Sequence, residues 1–132
     1  MDELPVARGL FLCERVIVEE RTRNVSLISC FNKRVVPALP SEPQQFTVFA
    51  TLVNGRGTIP IDLRVTRLAD EAVVYEQRIP IVFSDLLLET KFMFRVRTLE
   101  FSAEGSYEVA LLAQESPVAA TRLIVVLGGD RP

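Results

Sequence analysis

Few side chains in this chain are equipped for chemistry. There are two cysteines, Cys13 and Cys30, and no histidine. Without an imidazole there is no Ser-His or Cys-His nucleophile pair. The usual neutral-pH general base and the commonest metal ligand are missing too. The cysteines are too far apart for a Cys-x-x-Cys zinc site. Gly55-Arg56-Gly57 lacks the third glycine and the strand-to-helix setting of a phosphate-binding loop. Carboxylates occur in three close pairs: Glu19 with Glu20, Asp70 with Glu71, and Asp85 with Glu89. Such pairs would suit a glycosidase or a calcium cup. Each lies in an expected loop with arginine nearby and without EF-hand spacing, so they read as solvated turn charge. The expectation is a protein that is not an enzyme, with no catalytic residues, no cofactor and no metal.

The elements that hold these residues are strands. Leu10 to Val18 and Val25 to Phe31 are apolar β-type runs flanking a six-residue charged loop, Glu19-Glu20-Arg21-Thr22-Arg23-Asn24. That pattern is a β-hairpin. Pairing Val18 with Val25 sets the register. Val16 then faces Leu27, Glu14 faces Ser29 and Leu12 faces Phe31, making a largely apolar face. On the other face Ile17 meets Ser26, Arg15 meets Ile28, and Cys13 meets Cys30, with Cα atoms about 4.5–5.5 Å apart. The spacing permits a disulfide. Two reduced cysteines acting as small hydrophobes fit a β-protein of this composition better.

Period-2 alternation continues along the chain. Lys33 to Val36 is stopped by Pro37-Ala38-Leu39-Pro40-Ser41-Glu42-Pro43, whose prolines can continue neither a helix nor a central strand. This stretch reads as a crossover between two sheets. Further strands are expected at Gln45–Val53, Thr58–Leu68, Ala72–Ile79, Lys91–Phe101, Ser106–Ala113 and Val118–Leu127. Turns fall at Asn54-Gly55-Arg56-Gly57, at Ala69-Asp70-Glu71 and at Gln114–Pro117. Pro80 marks an edge or a bend. The stretch 81–90 reads equally as a helical turn capped by Ser84 or Asp85, or as a bulged loop. Tyr107, two residues before Val109 and just after Gly105, reads equally as a tyrosine corner or as a tyrosine that simply opens a strand. About eight short strands with no helical period predict an all-β fold, an antiparallel two-sheet sandwich of immunoglobulin-like type.

Two groups are candidates for partner binding. Ile81, Phe83, Leu86, Leu87 and Leu88 form a dense apolar run beside Pro80, which would mark a contact site if exposed. The alternative is that they cap one end of the core. Arg95 and Arg97, with Arg64 as a companion, lie on an outward strand face and could meet an acidic partner. The bland alternative is a solvated sheet face.

The chain has 132 residues, 48% hydrophobic and 24% charged. That is enough for one globular domain, residues 1–132 with an ordered core of about 8–127. The net charge is −2, only Lys33 and Lys91 are lysine, and arginines are interspersed with acids. No clustered basic footprint for nucleic acid results. Met1-Asp2-Glu3-Leu4-Pro5 lacks the positive n-region and apolar core of a secretory signal. No apolar run approaches the roughly 20 residues that span a bilayer. The expected setting is cytoplasmic, with no membrane partner.

Leu12 to Val18, the charged turn, and Val25 to Phe31 resemble the opening of a family of short single-domain bacterial proteins of unknown function. The Pro37–Pro43 loop, the strand Phe46–Val53 and the ending from Gly105-Ser106-Tyr107 to Leu127 resemble the same family. The resemblance implies an immunoglobulin-like β-sandwich, no known activity and no catalytic residues to transfer. The functional expectation is a non-enzymatic protein-interaction or scaffolding module, with self-association into a homodimer as one form. The alternatives are a sandwich that binds a sugar or lipid and a carboxylate-based hydrolase. The absence of tryptophan speaks against a sugar platform.

Overall fold

The computed structural model describes residues 4–83 and 89–128. Nine strands are found among them: β1 (Val6–Val18), β2 (Val25–Cys30), β3 (Lys33–Val36), β4 (Gln44–Val53), β5 (Gly57–Arg67), β6 (Ala72–Phe83), β7 (Thr90–Leu99), β8 (Gly105–Ala113) and β9 (Ser116–Leu127). They form two sheets, one in the order β2-β1-β4-β7 and one in the order β3-β9-β8-β5-β6. The run β9-β8-β5-β6 facing β4 and β7 reproduces the G-F-C-C′ and B-E halves of an immunoglobulin-like sandwich. The Pro37–Pro43 loop carries the chain from β3 to β4 and so from one sheet to the other, as its prolines require.

One part of the expected pattern needs correcting. The second sheet is mixed, because β3 pairs parallel with β9. The proline-rich loop ends β3 after four residues. The strand is therefore placed by sheet crossovers on both sides instead of by a hairpin. Every other pairing is antiparallel.

Turn chemistry closes the hairpins. Gln114 and Glu115 both adopt positive φ between Ala113 and Ser116, the two-residue geometry that matches strand twist. Asn54, also at positive φ, opens the β4–β5 connection. β6 continues through Pro80 to Phe83 instead of ending at Ile79. It is the edge strand of its sheet, and Pro80 lies opposite Pro60. Two facing prolines exchange no ladder bond, so each imide nitrogen points away from the other strand. Pro80 then faces solvent, and Pro60 lies just past the last β8 pair, Ile61 with Ala113.

Alternate residues of the two sheets interlock between them. Phe46, Val48, Ala50 and Leu52 of β4 meet Ile59, Ile61, Leu63 and Val65 of β5, with Phe92, Phe101, Tyr107, Leu111 and Leu123 completing the core. Each large side chain buried there is worth about 1.5–3 kcal/mol of transfer free energy. Tyr107 packs against Phe101 with ring centroids 4.9 Å apart, and its hydroxyl donates to the Ala103 carbonyl at 2.6 Å. The tyrosine corner is therefore present, at the start of β8.

Candidate functional site

The hairpin pairs as its side-chain pattern requires: Cys13 with Cys30, Arg15 with Ile28, Val16 with Leu27, Ile17 with Ser26 and Val18 with Val25. β1 has two halves. Residues 6–13 pair with β4, whereas residues 13–18 pair with β2. The break lies at Glu14, where Ser29 takes a φ of +56. Beyond it the hairpin leans over the outer face of the first sheet. Arg95 of β7 reaches the Glu14 carbonyl at 2.7 Å and the Thr47 hydroxyl at 3.1 Å. Arg23, Asn24, Val25 and Leu27 line one open groove together with Phe49, Thr51, Glu89 and Lys91.

This arrangement explains burial outside the sandwich core. Cys13, Thr47 and Phe49 lie on the outer face of β1 and β4 and are almost sealed. Val16, Val18, Val25 and Leu27, on one hairpin face, are half-buried. Ile17 and Ile28, on the other, are 49% and 40% exposed. They are diagonal neighbours beside Arg15 and Ser26. Across the same sheet runs the row Phe11–Phe49–Met93, with Phe11 and Met93 45% and 46% exposed.

A second groove, of about 380 Å³, opens between the sheets beside β1. It is lined by Leu10, Phe11, Leu12, Cys30, Phe31, Asn32 and Thr121. Arg34 of β3, stacked on Phe31, bridges the two sheets. Its guanidinium stacks 4.2 Å from the Phe31 ring centroid, pairs with Glu14, and donates to the Gln45 carbonyl at 2.8 Å. Nothing in the Lys33-Arg34-Val35-Val36 alternation marks that role, because Arg34 binds across a crossover.

The candidate partner residues fare unequally. Phe83 requires a correction as a surface residue: it is 4% exposed and belongs to the core cluster. Gly55 makes this possible, because a Cβ there would lie 2.5 Å from the Phe83 ring. The bare backbone of the β4–β5 turn lets the ring close the end of the core. Ile81 also packs against the core. Leu86, Leu87 and Leu88 lie outside the described residues, as do Ser84 and Asp85. Arg95 is committed to the hairpin's carbonyl and to Thr47, and Arg97 is exposed. Arg64 does not join them, since it lies in the other sheet and pairs with Glu76 and Glu115.

Among the carboxylate candidates, Asp70 and Glu89 are held in ion pairs. Asp70 makes two bonds to Arg67, at 3.0 and 2.8 Å, and accepts the Ala72 amide. Chiefly through the Arg67 bond, its pKa is held down at about 2. A carboxylate held that low stays ionised and serves poorly as a general acid. Glu89 pairs with Arg8, and the backbone of Glu19 closes the hairpin turn on Asn24 and Arg23. Asp62 escaped sequence reasoning. It is nearly sealed on the outer face of the second sheet and gripped by Arg78 at 2.7 and 3.1 Å. The available signal was the β5–β6 register, which sets Asp62 opposite Arg78. Among the described residues no three Cys, Asp or Glu side chains gather to hold a metal ion. No helix there is long and apolar enough to cross a membrane.

The chain belongs to a family of unknown function, DUF6941, whose model matches residues 8–126. No curated protein matches it. Among solved structures it is similar to an immunoglobulin-like protein from Pseudomonas aeruginosa, 12% identical with a TM-score of 0.48, covering 93% of this chain and 97% of that one. It is also similar to a β-glucosidase from Listeria innocua, 8% identical with a TM-score of 0.46, covering 93% of this chain and 16% of the glucosidase. At that level neither likeness bears on ligand or activity.

Proposed function

We propose that this DUF6941 domain is a non-enzymatic protein-interaction module whose contact surface is the outward face of the folded-over hairpin. One observation carries the reading: the hairpin bears apolar side chains on both faces. A strand pair covered on one side normally alternates apolar inside with polar outside. Here Val16, Val18, Val25 and Leu27 occupy the covered side, while Ile17 and Ile28 stand in solvent on the other. Phe11 and Met93 are exposed on the same sheet. Arg15 beside the isoleucines would supply the polar rim that interfaces of this kind carry.

The simplest partner is a second copy. Light scattering on the full chain over a range of concentrations tests this. The wild type is expected to dimerise, and the double variant Ile17→Asp, Ile28→Asp to remain monomeric with an unchanged circular dichroism spectrum. A wild type that stays monomeric at every concentration, or a dimer indifferent to the double variant, would overturn self-association through this face.

A second reading, an apolar small-molecule site, is favoured by the groove beside β1. Its volume of about 380 Å³ falls within the range of roughly 300–1,000 Å³ typical of ligand pockets. Titrating a fatty acid into the labelled protein should move the Phe11 and Asn32 amide resonances if it is correct. Unchanged resonances at saturation would dismiss it.

A further inference from the structure

The two cysteines meet at the hinge of the hairpin, and their surroundings differ sharply. They stand directly opposite each other. The Phe31 amide donates to the Leu12 carbonyl at 2.9 Å, a bond that flanks the cysteine pair instead of joining it. Cys13 and Cys30 are thus a non-hydrogen-bonded pair, the closely spaced kind, with Cα atoms about 4.5 Å apart. A disulfide accepts Cα separations of about 4.4–6.8 Å and needs Cβ atoms within about 3.5–4.5 Å, so the pair is within reach after a small approach. Cys13 is sealed, its sulfur 3.8 Å from the Thr47 carbonyl. Cys30 is exposed and lines the groove beside Phe11, Phe31 and Asn32. Solvent reaches one cysteine of the facing pair and not the other.

We propose that Cys13 and Cys30 form a reversible intramolecular disulfide when the protein meets a hydroperoxide, stapling the base of the hairpin. The thiolate of Cys30 attacks the outer peroxide oxygen. The O–O bond breaks, and Cys30 becomes a sulfenic acid as the peroxide leaves as hydroxide or, for an organic hydroperoxide, as alkoxide. The sulfur of Cys13 then attacks the Cys30 sulfur. The S–O bond breaks, the oxygen leaves as water with the proton that Cys13 gives up, and an S–S bond remains. With hydrogen peroxide the balance is two thiols and one peroxide to one disulfide and two waters. Burial, and then the neighbouring Cys30 sulfur, push the Cys13 thiol up, consistent with Cys30 reacting first. The bond would span the point where Glu14 and Ser29 leave the ladder, fixing the angle at which the hairpin leans. Reduction by a small thiol would release it, because a disulfide with one exposed sulfur is open to exchange.

The test uses the reduced full-length chain, treated with hydrogen peroxide and then alkylated under denaturing conditions, so that the sealed Cys13 is open to the reagent. Intact mass should fall by about 2 Da, the two hydrogens of the thiols. Both cysteines should resist alkylation, and dithiothreitol should reverse the change. The oxidised protein should melt roughly 5 °C or more above the reduced one. Cys30→Ser, a change at an exposed position, should keep the fold and leave Cys13 unoxidised. Sulfinic or sulfonic Cys30 with Cys13 still alkylated would overturn the proposal. So would a Cys30–Cys30 dimer, an inert wild type, or Cys13 oxidising as fast in Cys30→Ser as in the wild type.

Discussion

Arg78 holds Asp62 with two hydrogen bonds, at 2.7 and 3.1 Å, yet the two are buried very unequally: the Asp62 side chain is 5% exposed and that of Arg78 67%. The carboxylate has left water and its counter-charge has not. The pair resembles a clamp applied from outside the sheet, and most of its desolvation cost falls on Asp62. Breaking it from the Arg78 side strands a nearly buried charge.

Asp62→Asn keeps the shape and removes the charge. The charge-assisted bonds weaken, and the variant should lose about 1–2 kcal/mol of stability, read as a lower denaturant midpoint. Arg78→Ala should be the more damaging of the two, since it leaves the carboxylate without a partner. Equal midpoints for Arg78→Ala and the wild type would show the clamp to be idle.

Acid should unfold the protein in a defined window. Arg78 bonding holds the Asp62 carboxyl below its ordinary value of 3.8, and Arg67 bonding holds Asp70 at about 2. A depressed folded pKa means that the unfolded chain takes up the proton first as pH falls. The stabilisation is therefore complete above the ordinary carboxylate pKa and is lost on the way down to the folded value, for Asp70 between about 4 and 2. Thermal melting at stepped pH should be flat above this window and fall within it. Asp70→Asn should flatten part of that fall, and added salt should weaken the exposed Arg67–Asp70 contribution.

Gly55 and Phe83 form a lock at one end of the core. Gly55→Ala should destabilise by about 1–3 kcal/mol, because the new methyl meets the aromatic ring and the tight turn has little room to yield. Adding Phe83→Leu should recover part of that loss, since a smaller side chain relieves the clash. Strictly additive losses in the double-mutant cycle would deny the contact.

The hairpin's angle depends on Arg95. Arg95→Ala removes the bonds to the Glu14 carbonyl and the Thr47 hydroxyl, which should cost about 1–2 kcal/mol. Local opening should change more than global stability. Amide exchange in residues 14–18 and 25–30 should speed up while the β5 and β8 core amides stay slow. Unchanged exchange in the hairpin would remove Arg95 from this role.

Tyr107→Phe should lower stability by about 1 kcal/mol through loss of the hydroxyl bond to Ala103. Because Ala103 is half-exposed, water can take over part of the lost bond, which sets a ceiling on the effect. A loss above about 3 kcal/mol would mean that the ring itself had moved.

Much of this molecule is legible in its residue order. Alternation places Phe46, Ile61, Leu63 and Phe92 inside, the Pro37–Pro43 loop forces a change of sheet, and the apolar runs around Glu19–Asn24 set the hairpin register down to Cys13 opposite Cys30. These are local rules, in which side-chain period and backbone restriction act within a few residues. Tertiary structure alone decided that the hairpin bends at Glu14 and covers Phe49, that Phe83 turns inward beneath Gly55, and that Arg64 and Arg95 lie in different sheets. The same side-chain pattern serves a strand lying in a sheet and one folded over it. Which occurs depends on contacts between residues far apart in the chain, such as Arg95 with Glu14, and these exist only once the sheets have assembled.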